Sequence, residues 1–263
     1  MNEAKVLRAD EAGIATLTLN EPALLNPLSD AMLAALGSEL TRIAEDRGVH
    51  VVILRGAGKA FCAGHDLKEM TAARQAPDGG RAAFGDLFGR CSEVMLAIAR
   101  LPQPVIAQVH GIATAAGCQL VATCDLAVAA EGTRFGVNGV NIGLFCSTPM
   151  VALTRVIGRK PAFAMLVTGD FIEAREAARL GLINLAVAAE DLETETRKLA
   201  ERIAGKLGPV VRLGKRTFYE QAEMDVEAAY AHAGTVMAEN MMRDDTAEGV
   251  AAFVEKRAPD WKR

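Results

Sequence analysis

The chain has 263 residues, of which 51% are apolar and 24% charged, a composition typical of a globular protein long enough to bury a sizeable core. Its formal net charge is −4 and no cluster of Lys and Arg stands out, which argues against a nucleic-acid partner. Residues 1–13 contain no apolar signal-peptide segment, and no run approaches the ~20 apolar residues that span a bilayer. We therefore expect a cytoplasmic protein without membrane contact.

The first predicted elements are a strand and a helix. Ile14–Leu19 alternates branched and small residues like a strand. Apolar residues then recur at helical spacing over 28–43, next to the helix-start signals Pro27 and Ser29.

Strand and helix patterns continue to alternate through about residue 190, which predicts an α/β core. Continuous apolar runs at 51–54, 104–109 and 126–130 indicate buried strands. A helical stretch covers 115–124, and the pattern is almost wholly helical from Asp191 onward. A helical end of this kind docks either onto its own core or onto a neighbouring subunit, and the pattern does not distinguish the two.

The cysteines have an odd number and no metal-ligand spacing. We expect them to be reduced thiols, mostly in the core, and we expect no metal site. They are Cys62, Cys91, Cys118, Cys124 and Cys146.

Two turns share one design, in which a buried strand is followed by small residues and then by a helix start. The first is Phe61-Cys62-Ala63-Gly64-His65-Asp66, and the second spans 111–119. Small residues let a ligand approach the main chain, and a helix N-terminus leaves backbone N–H groups unpaired. Brought together, two such turns would make an oxyanion hole. The alternative is that both are only tight strand–helix connections, and no dinucleotide, P-loop or GxSxG motif accompanies them.

These turns and further landmarks resemble the enoyl-CoA hydratase/isomerase (crotonase) family along almost the whole chain. The stretch 113–120, taken with 143–149, resembles one particular branch of that family. The matching segments are 20–22, 25–26, 58–67, 104–107, 117–118, 124–127, 134–136, 181–183 and 248–253.

The resemblance implies an α/β crotonase-type spiral of ββα units with a C-terminal helical trimerisation region. Within one structural domain, we accordingly assign 1–195 to the core that carries an acyl-CoA site and 196–263 to oligomerisation, as a homotrimer or hexamer. Acyl-CoA would be the substrate or ligand, with no cofactor required.

The resemblance also implies site residues. It places an oxyanion hole at the backbone N–H groups of His65 and Ala116. The positions implied to contact CoA are Ala63, Asp66 and Leu67, together with Phe253 and Lys256, which would reach the CoA of a neighbouring subunit.

The sequence departs from the family at its acid/base positions. The two glutamates that hydratases of the family use fall at Gln119 and Gly139, and neither an amide nor a glycine can titrate. A catalytic Asp of other members falls at Ser147, and a CoA-binding Lys falls at Ala23. Ordinary hydration of a 2-enoyl-CoA is therefore not expected.

Several side chains are candidates for other chemistry. The His65 imidazole either acts on the thioester or points elsewhere, and Cys146 is either a nucleophile or a buried spectator. Asn138 and Asn141 either hold a water or polar acyl group or cap loops. The residues expected to be structural are Asp66, Asp125 and His110.

Two functional hypotheses follow. One is an acyl-CoA-processing enzyme that stabilises a thioester enolate, or a thioester hydrolase or decarboxylase. The other is a non-catalytic protein that binds or senses acyl-CoA.

Overall fold

The structure is a computed structural model that describes residues 4–261. These residues confirm the predicted α/β class. The strands are β1 (Val6–Glu11), β2 (Ile14–Leu19), β3 (Val51–Gly56), β4 (Val105–Val109), β5 (Ile112–Thr114), β6 (Leu126–Ala130), β7 (Arg134–Gly136), β8 (Ile172–Glu173) and β9 (Leu185–Val187). The helices are α1 (Asp30–Glu45), α2 (Leu67–Ala73), α3 (Arg81–Arg100), α4 (Ala116–Thr123), α5 (Ser147–Val156), α6 (Arg159–Thr168), α7 (Ala174–Leu180), α8 (Leu192–Ala204), α9 (Gly208–Ala222), α10 (Val226–Met241) and α11 (Asp244–Val254).

The strands form two sheets that the chain visits in turn. The large sheet has the order β1-β2-β3-β4-β6-β9 and is parallel except for the β1–β2 pair. The small sheet has the order β5-β7-β8. Strand β4 of the large sheet is followed by β5 of the small sheet, and β6 of the large sheet is followed by β7 of the small sheet. After each such pair the chain enters helical structure. Because β4 pairs with β6 and β5 with β7 in parallel, successive ββα units stack as a spiral.

Local sequence signals explain where the first helix starts. The Ser29 hydroxyl accepts a hydrogen bond from the Met32 backbone N–H at 3.2 Å, which satisfies one of the unpaired donors of the first turn of α1. Leu36, Leu40 and Ile43 then lie buried on one face of this helix, as their spacing predicts.

The large sheet is covered on both faces, which explains why its central strands read as continuous apolar runs. One face carries the main core, which includes Leu17, Leu54 and Ala107. On the other face, Ile53 and Ile106 belong to a second apolar cluster that includes Leu192 and Ala200 of α8.

The described chain divides into two compact units, 4–204 and 205–261. The predicted boundary at 195/196 falls inside α8, which packs against strands of the first unit, so the compact units separate at the end of that helix instead. The functional roles assigned to the two regions stay predictions.

The second unit contains α9, α10 and α11, followed by a tail that folds back on α11. Glu248 accepts a hydrogen bond from Arg257 at 2.6 Å and another from the Asp260 N–H at 2.7 Å. The Trp261 ring lies against Gly249, where an added Cβ would approach it to 2.7 Å. The Arg257 hydrogen bond and the Asp260 N–H lower the pKa of the Glu248 carboxyl to about 2.

Candidate active site

The loop after β3 is fixed by a buried asparagine. Asn26 is fully buried and has a φ of 53°. Its side-chain Nδ2 donates to the carbonyl oxygens of Ala57 and Ala60, each at 2.8 Å, and its Oδ1 accepts from the Glu21 N–H at 2.8 Å. No pattern in the sequence predicted a role for this side chain, because the carbonyls that it binds lie more than 30 positions away.

The two turns singled out in the sequence lie side by side. The Thr114 N–H donates to the Cys62 carbonyl at 3.1 Å. Gly64 has a φ of +92°, and a Cβ added to it would lie 3.1 Å from the Ala115 Cβ and 3.5 Å from the Ala116 nitrogen. A side chain at position 64 would therefore occupy the space beside the start of α4.

The N-terminus of α4 is presented by a strained residue. Ala115 has φ 50° and ψ −118° and provides no side-chain cap, and its N–H donates to the Gly136 carbonyl at 2.9 Å. The first N–H groups of a helix have no intrahelical acceptor, and the helix dipole adds partial positive charge there. The Ala116 N–H therefore lies at a position suited to an oxygen that carries negative charge.

The His65 imidazole contacts protein groups. Its Nδ1 lies 3.2 Å from the Leu28 carbonyl oxygen, and its ring meets Phe88 edge-on at 5.6 Å between centroids. Burial lowers the pKa of this imidazole. A neutral ring with Nδ1 protonated satisfies the Leu28 carbonyl, so the side chain holds the loop while the residue's backbone lies at the turn.

Gln119 is the fourth residue of α4 and is buried, with 5% of its surface exposed. Its side-chain Oε1 has no hydrogen-bond partner among the described residues. A buried amide oxygen left unpaired costs free energy. Among the described residues, the Nε2 of His65 is likewise buried without a hydrogen-bond partner.

Gly139 lies in a closed loop rather than beside an open space. A Cβ added to it would lie 2.2 Å from the Leu144 carbonyl oxygen and 2.9 Å from Cys146 Sγ. Its own N–H donates to that sulfur at 3.4 Å. The space beside Gly139, where the family likeness places a glutamate, is therefore filled by neighbouring backbone and by a thiol.

The prediction of reduced core thiols is confirmed, since all five cysteines are free and buried. Burial raises the pKa of Cys62 and Cys118 to about 12 and that of Cys91 to about 11. Burial also raises the pKa of Cys146, against a smaller opposing effect of the Gly139 N–H. Raised values suppress the thiolate, so Cys146 lacks the activation that a nucleophile needs.

The positions implied to contact CoA lie in both units. In the first unit the Ala63 N–H donates to the Leu25 carbonyl at 3.0 Å, Asp66 caps α2 by accepting from the Lys68 N–H at 2.7 Å, and Leu67 is 54% exposed.

Phe253 and Lys256 belong to the second unit. The Phe253 side chain is 86% exposed, and Lys256 has a φ of 55° just after α11. Phe253 also lines a cavity of about 540 Å³ within this unit, together with Val210, Asn240 and Trp261.

The other polar candidates hold loops and strands. Asn138 accepts from the Thr114 hydroxyl at 2.6 Å, Asn141 lies 3.5 Å from the Gly169 carbonyl oxygen, and Asp125 accepts from the Val105 N–H at 2.6 Å. His110 Nε2 lies 2.8 Å from the Gly58 carbonyl. Asp66 and Asp125 thus have the turn-capping contacts expected of them. His110 was expected to be a core histidine, but it is only partly buried at the end of β4.

Residues 4–261 contain neither a metal-binding cluster nor a membrane-spanning helix. No group of three or more His, Cys, Asp or Glu side chains is arranged to hold a metal ion. No helix in this part of the chain combines the length and apolar character needed to cross a bilayer.

Comparison with known proteins identifies the class. The family model described as enoyl-CoA hydratase/isomerase matches residues 9–263. A crystal structure of an enoyl-CoA hydratase from Mycobacterium smegmatis superposes with a TM-score of 0.95 at 56% sequence identity, covering 99% of this chain and 100% of that one. The chain therefore belongs to the enoyl-CoA hydratase/isomerase family and has the crotonase fold.

Within the family, the chain lies in the branch of enoyl-CoA hydratase domain-containing protein 3. The human protein of this name superposes with a TM-score of 0.93 at 44% identity, covering 98% of this chain and 100% of that one. The mouse protein is 47% identical over 95% of this chain and 81% of its own length. The mouse and human proteins are named mitochondrial, so the prediction of a cytoplasmic protein is wrong, and these names point to mitochondria instead.

Proposed function

We propose that the chain binds an acyl-CoA thioester and polarises its carbonyl between the backbone N–H groups of His65 and Ala116. The observation that carries this proposal is the approach of the two turns, in which Gly64 leaves open the space beside the Ala116 nitrogen. The family match over residues 9–263 supports acyl-CoA as the ligand.

Such a pair of donors stabilises charge on the thioester oxygen. An enolate or a tetrahedral intermediate places negative charge on that oxygen, and one backbone donor is worth about 2.7–4 kcal/mol to the transition state. The dipole of α4 and the low polarity of the buried turn add to this stabilisation.

The reaction is proposed to differ from ordinary hydration or to be slow. Hydration needs a base for water and an acid for the α-carbon, and an amide at Gln119 supplies neither. At Gly139 the Leu144 carbonyl fills the space that a carboxylate side chain would need. Loss of CO₂ from a carboxylated thioester, or hydrolysis by water held by amides, needs no carboxylate at either position.

The rest of the ligand is assigned by the family likeness. We propose that CoA contacts Ala63, Asp66 and Leu67, that no further cofactor is required, and that the chain assembles as a homotrimer or hexamer. Exposed apolar residues of the second unit support assembly, since Tyr230 is 78% and Met242 is 85% exposed. In such an assembly Phe253 and Lys256 would reach a neighbour's CoA.

A non-catalytic acyl-CoA binder is the second candidate. Its support is the contacts of the side chains around the turns, since the His65 imidazole is engaged by the Leu28 carbonyl and the Phe88 ring. Burial also raises the pKa of the Cys118 thiol to about 12, which keeps that thiol protonated near neutral pH.

One panel of thioesters tests both candidates. We would incubate the protein at high concentration with crotonyl-, malonyl-, methylmalonyl- and 3-hydroxybutyryl-CoA, following products by chromatography and binding by calorimetry. The enzyme hypothesis predicts product from at least one thioester other than crotonyl-CoA. Binding without product supports the second candidate, and failure to bind any thioester overturns both.

A further inference from the structure

We infer that Asn26 is a positioning residue, which sets the direction of the His65 N–H by holding the segment 25–28 that precedes α1. The inference rests on the proposed function, because it takes the His65 N–H to be one of the two donors to the thioester oxygen. The Asn26 side chain is fully buried and hydrogen-bonds to main-chain groups, so it would act through the backbone and not on the ligand.

The first step is the orientation of the peptide group that joins Gly64 to His65. The Leu28 N–H donates to the Gly64 carbonyl oxygen at 2.7 Å. A peptide group is planar, and this one is trans, so its N–H points to the side opposite its carbonyl oxygen. The hydrogen bond from Leu28 therefore directs the His65 N–H away from the segment 25–28. The second turn lies on that opposite side of the loop, where the Thr114 N–H binds the Cys62 carbonyl.

The second step is that the same segment holds the loop at further points. The Ala63 N–H donates to the Leu25 carbonyl oxygen at 3.0 Å. The His65 Nδ1 lies 3.2 Å from the Leu28 carbonyl oxygen. Together with the bond to the Gly64 carbonyl, these contacts make the position of the loop depend on the position of the segment.

The third step is what holds the segment itself. Leu25 and Asn26 have φ angles of 64° and 53°, and residues other than glycine keep such a left-handed conformation only where surrounding contacts hold them. The Asn26 side chain supplies these contacts. Its Nδ2 donates to the Ala57 and Ala60 carbonyls at 2.8 Å each, and its Oδ1 accepts from the Glu21 N–H at 2.8 Å. Without this side chain the segment can relax, and the peptide that it orients loses its fixed direction.

The test compares butyryl-CoA with the S-butyl thioether of CoA, which lacks the thioester carbonyl. We would measure the binding of both ligands to the wild type and to Asn26→Ala by calorimetry. The wild type should bind the thioester more tightly. Loss of one backbone donor lowers this preference about 2- to 12-fold, and we expect a decrease of that size in Asn26→Ala. A merely structural role would weaken the binding of both ligands equally and leave the ratio of their affinities unchanged.

Gln103→Ala is the matched control. Gln103 is also a buried amide, and its Nε2 donates to the carbonyls of Ile43 at 2.8 Å and Asp46 at 3.1 Å. These carbonyls lie at the C-terminal end of α1, whereas the segment 25–28 precedes the start of that helix. Both variants leave buried carbonyls unpaired and should lower the Tm. The control should nevertheless keep the wild-type preference for the thioester.

The outcomes separate this inference from the proposed function. A folded wild type that binds neither ligand, or binds both equally, refutes the proposed function, and the inference fails with it. A wild-type preference that Asn26→Ala retains in full overturns the inference alone. An equal loss in Gln103→Ala also overturns the inference, because the loss would then follow stability and not the loop. If Asn26→Ala does not fold, Asn26→Gly replaces it, since glycine accepts a φ of 53° and removes the same amide.

Discussion

Gly64→Ala places a methyl group in the space between the two turns. The new Cβ would lie 3.1 Å from the Thr114 carbonyl oxygen and 3.5 Å from the Ala116 nitrogen. The φ of +92° also strains any L-residue by about 1–3 kcal/mol. Gly132→Ala is the matched control, because Gly132 has a φ of +82° and an added Cβ meets nothing within 4 Å.

The expected magnitude follows from the two donors. Each backbone N–H contributes about 0.5–1.5 kcal/mol net to binding a carbonyl oxygen. Butyryl-CoA should therefore bind the wild type about 5- to 150-fold more tightly than the S-butyl thioether of CoA, which lacks the carbonyl. In Gly64→Ala we expect this ratio to fall to about one, whereas Gly132→Ala should retain it.

The assay is calorimetric titration of both ligands into all three proteins, with circular dichroism to confirm folding. Both variants should lose about 1–3 kcal/mol of unfolding free energy from backbone strain, so stability alone does not separate them. A Gly64→Ala protein that still prefers the thioester, or a Gly132→Ala protein that loses the preference equally, would refute the reasoning.

Three further predictions concern groups that support the fold. Gly139→Glu should destabilise the protein by about 3 kcal/mol and should not restore hydration of 2-enoyl-CoA, because its Cβ would lie 2.2 Å from the Leu144 carbonyl oxygen. An unchanged Tm would contradict this prediction. Asn26→Ala should cost about 3 kcal/mol of unfolding free energy, since it leaves several buried groups unpaired, and guanidinium denaturation that shows almost no loss would contradict it. Glu248 has its pKa lowered by a guanidinium and a backbone N–H from an ordinary 4.5 to about 2. The stability that it gives the C-terminal tail should therefore be complete above about pH 4.5 and lost as the pH falls through about 2. Trp261 is the one tryptophan of the sequence, so its fluorescence reports on this tail. The emission should shift to the red as the pH falls from about 4.5 to about 2, and it should already be shifted at pH 7 in Glu248→Gln. An emission spectrum that stays constant in both experiments would contradict the tail contact.

Local patterns predicted the elements that have enough residues to show a period. Ile14–Leu19 is both the predicted strand and β2, and Ser29 caps α1 as its side chain suggests. The small sheet was not predicted, because strands as short as Ile172–Glu173 show no alternation. The spiral of ββα units was expected from the family resemblance and not from any pattern of residues in the sequence.

In the candidate site, too, local sequence predicted some features and tertiary structure decided the others. The turn compositions singled out two segments that lie side by side in the structure, and the family likeness drew attention to Gln119 and Gly139. The contacts of these residues depend on tertiary structure, so the sequence did not reveal that the Leu144 carbonyl closes the space at Gly139. Nor did it reveal that Asn26 binds carbonyls of the 57–60 segment.

The central claim is that two backbone N–H groups polarise a thioester carbonyl, and its most direct test is the infrared spectrum of that carbonyl. We would bind butyryl-CoA labelled with ¹³C at C1 and record the difference spectrum against the unlabelled ligand. Hydrogen bonds from the His65 and Ala116 N–H groups would weaken the C=O bond, so we predict a lower stretching frequency for bound than for free ligand and a smaller shift in Gly64→Ala. A bound carbonyl whose frequency equals or exceeds that of the free thioester in water would contradict the account.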